Sequence, residues 1–438
     1  MTRKAKQKST KIVFNATKTE RSLLYQKPKP MKSFHIPEFY RSKVISPIKE
    51  YRRKNDKLKR DQSPTVLDFG SVKFLIARHF GFCYGVENAI EIAYRTLAEN
   101  PDKQIFLLSE MIHNPDVNRD LLSRGVKFLM ETTGRQIIPW ERLKSDDIVI
   151  VPAFGTTVEI QNKLQLLGID PYKYDTTCPF VEKVWIRATQ IGLRDYSIII
   201  HGKLRHEETR ATFSHSKENA PTIIVKDLKQ AEHLARYIRG EGSKEEFYEE
   251  FRGQYSVGFD PEQDLQRIGV VNQTTMLASD TQGIADYLKA VMMKHYNLSI
   301  SNSEERFANT RDTLCYATND NQDATYALLQ HEADFALIAG GYNSSNTSHI
   351  VELCEQKLPT YFIESADKIL DKNMIRHYDL HKKQEVTTTD FIPEKDTVTI
   401  MLTCGASCPD AIIEEVMTQV LSFFPDAKPI EEVMEAFK

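Results

Sequence analysis

Cysteine is scarce in this chain, with six in 438 residues. That is too few to staple a fold of this length through disulfides, and it favours a reducing, intracellular compartment where unpaired cysteines are buried, catalytic or metal-bound. No Cys-x-x-Cys pair occurs, which removes the zinc-ribbon signature. No apolar run approaches the roughly 18 residues a membrane-spanning helix needs, and the N-terminus lacks the apolar core of a secretory signal. What is present, 41% hydrophobic and 27% charged residues, is enough to bury a large core and to build two or three domains.

Charge is unevenly spread. Residues 1–70 carry 19 Lys and Arg against 6 Asp and Glu, a net of +13, whereas the remainder is acidic at −16. This segment reads as a mostly flexible basic extension with short apolar clusters. Three roles compete for it: a solvated or packing arm, an electrostatic contact to nucleic acid or an acidic partner, and an organelle transit peptide.

From Val72 the pattern changes. VKFLIARHF, QIFLLSEMI, DIVIVPAFG, YSIIIHG, RIGVVNQTT, DFALIAGG and TVTIMLTCG read as buried strands, separated by amphipathic helices such as VENAIEIAYRTLA and TQGIADYLKAVMMK. The alternation predicts an α/β fold with mainly parallel sheets. The polar stretch 240–264 interrupts it and reads as a surface insertion or a short extra element.

An internal repeat emerges on closer inspection. Cys83, Cys178 and Cys315 each open a predicted helix, and 30, 28 and 29 residues later a strand ends in a polar cluster, around His113, His206 and Ser344. A second strand in each unit ends in small hydroxylated residues: FGTT at 154–157, NQTT at 272–275 and CGAS at 404–407. The simplest architecture is three similar α/β lobes arranged pseudo-threefold, at 71–174, 175–308 and 309–420, followed by a tail at 421–438. Strand C-termini and helix N-termini then point inward, where ligands collect in open α/β sheets.

Three thiols at equivalent helix N-termini indicate a shared ligand, because free N–H groups and partial positive charge there favour thiolates and anionic metal centres. A catalytic zinc or an iron–sulfur cluster with one open iron both suit three thiolates. Cys354, Cys404 and Cys408 remain as structural residues. His113, His206, Ser344, Ser345, Asn346 and Ser407 supply neutral or switchable donors suited to a phosphate group. Glu208 is the carboxylate best placed to deliver a proton, with Thr274 to hold it, while an extended segment would turn Glu207 away.

The set GFCYGV, MIHNPDV, DTTCP, HEET, NQTT, DTLCYAT, NSSN and CGASCPD closely resembles the 4-hydroxy-3-methylbut-2-enyl diphosphate reductase (IspH/LytB) family over roughly residues 72–420. HNP, HEET, the basic extension and the middle insertion look most like its plant and cyanobacterial branch. The resemblance implies a 4Fe-4S cluster held by Cys83, Cys178 and Cys315 with one open iron. It implies a diphosphate held by His113, His206, Ser344, Asn346 and Ser407 with Ser345 close by, and Glu208 with Thr274 as the proton source. The implied reaction is a two-electron reductive dehydroxylation of the allylic diphosphate to isopentenyl and dimethylallyl diphosphate, the last step of the non-mevalonate isoprenoid pathway. Electrons would come from a ferredoxin- or flavodoxin-type donor.

One departure stands out. Many members carry an Ala-His-Gly run, but this chain reads PAFGTT with Phe154 in that place, so Thr156 and Thr157 are candidates to replace the missing imidazole. Two rival classes explain less of the sequence. A non-catalytic iron–sulfur sensor or carrier leaves the phosphate-type donors and Glu208 unexplained, and a nucleic-acid binder conflicts with the acidic body and the lack of a binding signature. The expected location is the bacterial cytoplasm, or a plastid if the basic segment is a transit peptide.

Overall fold

β-branched and aliphatic runs bounded by Gly, Pro and Asn form the strands, and all seven sequence-predicted segments contain one. The computed structural model describes residues 34–437 apart from 59 and 310–312. The chain divides into two units, Met1–His35 and Ile36–Lys438. Residues 1–33 of the basic extension, for which three roles compete, lie outside the described residues.

Three sheets are mainly parallel. The largest has five strands in the order Thr65–Asp68, Val72–Ile76, Val398–Cys404, Phe335–Ala339 and Thr360–Ile363. Its first pair is antiparallel and the rest are parallel. A second sheet aligns Lys127–Phe128, Ile105–Leu107 and Ile148–Ile150 in parallel. The third aligns Thr222–Val225, Ser197–His201 and Ile268–Asn272 in parallel. Strands Ile105–Leu107, Ser197–His201, Ile268–Asn272 and Phe335–Ala339 are buried along their whole length, as expected of sheets covered on both faces by helices. The antiparallel meander Ile369–Asp371, Met374–Asp379 and Gln384–Thr389 was not predicted, because its alternating, half-exposed threonines and charges carry little apolar signal.

Helices follow the apolar period of the sequence. In Tyr84–Glu99 the buried face is Val86, Ala89, Ile90 and Ala93, and in Ala278–His295 it is Ile284, Leu288 and Met292. Burying each Val, Ile, Leu or Met among them contributes roughly 1.5–3 kcal/mol, so these faces, more than helix propensity, fix the helices on their sheets.

Three expectations need correction. First, the stretch 36–70 is not a flexible arm. Helix Ile45–Asn55 buries Ile45 and Ile48 and packs on helix Asp410–Leu421, while Lys49 donates to Asp410 (2.5 Å) and to the Phe80 carbonyl (2.9 Å). Its polar outer face masks two anchoring isoleucines in a charge-rich sequence. Second, of the two readings of 240–264 the short extra element holds and the surface insertion does not: the stretch forms helices Lys244–Glu250 and Pro261–Asp264, and Phe247, Phe251 and Phe259 fill the core beside Tyr237. Third, sheet membership does not follow chain order. Thr65–Asp68 and Val72–Ile76 complete the sheet built by the third predicted lobe, because Val72–Ile76 pairs in parallel with Val398–Cys404. Among the described residues, no helix is long and apolar enough to cross a membrane.

Candidate active site

Five helices begin around one cavity. Cys83, Cys178, Cys315, His206 and Ser344 are the N-cap residues of helices Tyr84–Glu99, Pro179–Gly192, Tyr316–Leu328, Glu207–Lys217 and Ser345–Glu355, and all five line the same space of about 90 Å³. Each helix N-terminus contributes partial positive charge and unsatisfied N–H groups, so the cavity is set up for anionic contents without lining Lys or Arg.

The cysteines are anchored by one rule applied three times. The Cys178 N–H donates to the Ala153 carbonyl (2.9 Å), that of Cys315 to Thr274 (3.2 Å) and that of Cys83 to Ala406 (3.2 Å). These acceptors lie two or three residues beyond strands Ile148–Ile150, Ile268–Asn272 and Val398–Cys404. Each cysteine is thus fixed to the end of a second strand, the feature that the sequence repeat isolated. The aromatic residues behind them also interlock. The Tyr84 N–H donates to the Tyr316 hydroxyl (2.9 Å), and the Phe180 and Tyr316 rings lie 5.1 Å apart.

All three are free thiols. Burial pushes Cys83 up, with the neighbouring thiols adding to the shift, and pushes Cys178 up to about 12 and Cys315 upward, although helix N–H groups act the other way. The helix N–H groups do pull these thiols down, as the sequence reading has it, but desolvation in the cavity is the larger effect. Among the described residues, no group of three or more His, Cys, Asp or Glu side chains closes on a point suited to a single metal ion. Cys354, Cys404 and Cys408 are buried elsewhere, in the core of the five-stranded sheet.

The polar residues named from the sequence converge as well. His113, His206, Glu208, Thr274, Ser344, Ser345, Asn346 and Ser407 all line the cavity with the three cysteines. Glu208 is 1% exposed, and its carboxylate accepts the Thr274 N–H (2.5 Å) and hydroxyl (3.0 Å). Burial raises its pKa to about 7, against the lowering pull of the Thr274 donors and of His113. A carboxyl poised there can hold and release a proton near neutrality.

Two buried donors in this lining have no partner. His206 Nδ1 accepts the Glu208 N–H (3.2 Å), so Nε2 carries the proton of the neutral ring, yet Nε2 is buried without an acceptor. Burial, together with the positive charge of His113, Lys203 and Arg210, holds His206 well below its usual range. Asn346 Oδ1 accepts from Ala406 N–H (3.1 Å) and Asn321 Nδ2 (3.2 Å), which leaves its own buried Nδ2 unpartnered. An unmet buried donor costs roughly 1–3 kcal/mol, so two of them mark a place for an acceptor-rich ligand. Ser344 Oγ accepts from Thr347 N–H (3.3 Å) and Thr347 Oγ1 (2.9 Å) and keeps its own proton to donate, whereas the Ser407 hydroxyl donates to the His113 carbonyl (3.0 Å).

Phe154 also lines the cavity, stacked on His113 at 4.2 Å between ring centroids and edge-on to His206 at 5.7 Å. Thr156 and Thr157 are not in the lining, and the Thr157 hydroxyl caps helix Val158–Leu166, so neither replaces an imidazole at this place. Glu207 does turn away from the cavity, but an extended segment is not the reason. His206 starts a helix at this point in place of an extended strand, and the helical turn sends the buried Glu207 to His113 Nε2 (2.9 Å) and the Ser109 hydroxyl (2.5 Å). The two acidic residues Glu207 and Glu208, which open the helix, were the available sequence signal.

A family model described as LytB protein matches residues 74–421. A 4-hydroxy-3-methylbut-2-enyl diphosphate reductase of a Cyanothece species is 39% identical, covering 81% of this chain and 85% of that protein. The protein of the same name from a Synechocystis species is 37% identical, covering 88% and 96%. The fold resembles the solved E-1-hydroxy-2-methyl-but-2-enyl-4-diphosphate reductase from Plasmodium falciparum, with a TM-score of 0.57 and 20% identity over 81% of this chain and 89% of that one. The cavity residues fall within the matched span, and by the extent and identity of these matches the chain belongs to the LytB protein family.

Proposed function

We propose that this chain reduces 4-hydroxy-3-methylbut-2-enyl diphosphate to isopentenyl and dimethylallyl diphosphate, the last step of the non-mevalonate isoprenoid pathway. Two electrons and two protons enter, the allylic C–O bond breaks, a C–H bond forms and water leaves. The observation that carries the reading is the pair of buried, unpartnered donors, His206 Nε2 and Asn346 Nδ2, in a cavity ringed by helix N-termini. A diphosphate supplies the acceptors both lack.

Cys83, Cys178 and Cys315 would hold a 4Fe-4S cluster. The donor set fits, since three free thiols in one buried cavity, whose thiolate forms repel one another, gain from a positively charged centre. When bound, the cluster supplies the electrons, delivered singly from a ferredoxin- or flavodoxin-type donor, and Lewis acidity at one open iron. The chain's own residues do the rest. His206, Asn346 and Ser344 bind the diphosphate, with His113, Ser345 and Ser407 beside them. Glu208, held by Thr274, delivers a proton to the departing hydroxyl. The apolar side chains of Val86, Ile112, Ala153, Phe154 and Val181 in the lining displace water from the carbon skeleton.

The test is anaerobic reconstitution followed by iron and sulfide analysis and turnover of 4-hydroxy-3-methylbut-2-enyl diphosphate with reduced methyl viologen. Cluster together with turnover supports the reading. A normally assembled cluster without turnover replaces it with a sensor or carrier.

A further inference from the structure

The adjacent carboxylates of helix Glu207–Lys217 part company. Glu208 turns into the cavity to Thr274, while Glu207 lies behind the lining, with its side chain 5% exposed, and reaches His113, itself 6% exposed. Both oxygens of Glu207 are engaged, Oε1 by the Ser109 hydroxyl (2.5 Å) and Oε2 by His113 Nε2 (2.9 Å). The other side of the His113 ring is fixed by Phe154, stacked 4.2 Å away at 29°. Its backbone is fixed too, since the His113 carbonyl accepts the Ser407 hydroxyl (3.0 Å), and a Cβ on Gly341 would meet that carbonyl at 2.6 Å.

This arrangement decides what His113 presents to the cavity. A carboxylate on one ring nitrogen keeps a proton there and fixes the ring orientation, as outer carboxylates do for ligating histidines. With Nε2 engaged by Glu207, Nδ1 is the nitrogen left for a ligand oxygen. An imidazole with acceptors on both sides carries two protons and binds an anion by a charge-assisted bond. Without the carboxylate, a ring free to rotate or to present a lone pair binds the same anion poorly.

We infer that Glu207, braced by Ser109, is a positioning residue that holds His113 as a two-proton donor to the substrate's diphosphate. The inference rests on the proposed function, because it takes the diphosphate as the cavity's anion. The opposing effect is direct repulsion between Glu207 and the diphosphate. It is the weaker one here because the imidazole stands between them and Glu207 is outside the lining.

The test uses the reconstituted full-length protein, with inorganic diphosphate as the binding probe in calorimetry and steady-state turnover as the second readout. Glu207→Gln is expected to raise the Kd for diphosphate and the KM for substrate by about tenfold, the size of one charge-assisted bond, while kcat stays within about twofold. Ser109→Ala, which leaves the carboxylate in place, is expected to give a smaller change in the same direction, and serves if Glu207→Gln does not fold. In a His113→Ala background, Glu207→Gln should add nothing. Unchanged or tighter diphosphate binding by Glu207→Gln, a loss confined to kcat, or an equal loss in the His113→Ala background overturns the inference while leaving the proposed function standing. A reconstituted wild type that neither binds diphosphate nor turns over overturns both.

Discussion

Glu208 and Thr274 meet twice, through the Thr274 N–H at 2.5 Å and its hydroxyl at 3.0 Å. These residues come from helix Glu207–Lys217 and from the segment after strand Ile268–Asn272, so the proposed proton donor is fixed by two elements of the same α/β unit. Both contacts favour the charged carboxylate, and burial opposes them and wins, leaving the group at about 7.

Replacing the carboxyl by an amide of the same shape removes the proton and keeps the packing. Glu208→Gln is expected to lower kcat by about 10²–10⁴-fold with iron content and diphosphate affinity unchanged. Wild-type turnover in a fully loaded variant would exclude Glu208 as the donor.

The acid form is the useful one, so kcat/KM should fall as pH rises through about 7. The Thr274 hydroxyl pulls the Glu208 pKa down, hence Thr274→Val should move that alkaline limb to higher pH. A limb that stays in place or moves down contradicts the assignment. Stability follows the same sign. The folded chain retains a proton that the unfolded carboxyl releases near 4.5, so this contribution is full below that pH and lost as pH rises through about 7. Thermal melts of the cluster-free protein across this window should show the decline, and Glu208→Gln should flatten it.

Each of Cys83→Ser, Cys178→Ser and Cys315→Ser is expected to lose most bound iron and sulfide on reconstitution, whereas Cys354→Ser, on the buried face of helix Ser345–Glu355, should retain both. Full iron content in any of the first three would remove that residue from the ligand set.

Gly85 offers a subtler test. A Cβ there would meet Cys178 Sγ at 2.6 Å, and the position is helical, where alanine gains about 1 kcal/mol over glycine. Gly85→Ala should therefore leave the melting temperature of the cluster-free protein near wild type while lowering cluster occupancy several-fold. Iron titration and melting curves separate the two effects.

Phe154 lies flat on His113 at the place where the family resemblance expects an imidazole. Phe154→His is expected to tighten inorganic diphosphate binding by up to about tenfold, the value of one charge-assisted hydrogen bond. Looser binding would show that stacking on His113 matters more than an added donor.

The legible part of the fold is the part with local periodicity. The seven apolar runs become strands because each is long enough to be buried on both faces, and the amphipathic runs between them become helices. The stretch 36–70 was misread because charge dominates its composition, while Ile45 and Ile48 alone face the core of helix Ile45–Asn55. The pairing of Val72–Ile76 with Val398–Cys404 spans more than three hundred residues, and no local pattern encodes it.

In the site, the sequence by itself determined which side chains converge. Cysteines before helices and hydroxylated residues after strands occupy equivalent positions in a repeat, and parallel α/β units bring those ends together. Only the tertiary structure decided how neighbouring side chains divide their work. The helix starting after His206 sends Glu207 to His113 and Glu208 to Thr274. Burial, which no spacing encodes, raises Glu208 to about 7 and pushes the three thiols up against the pull of their helices. Position along the chain sets which elements can meet, but protonation depends on what surrounds a group once they have met.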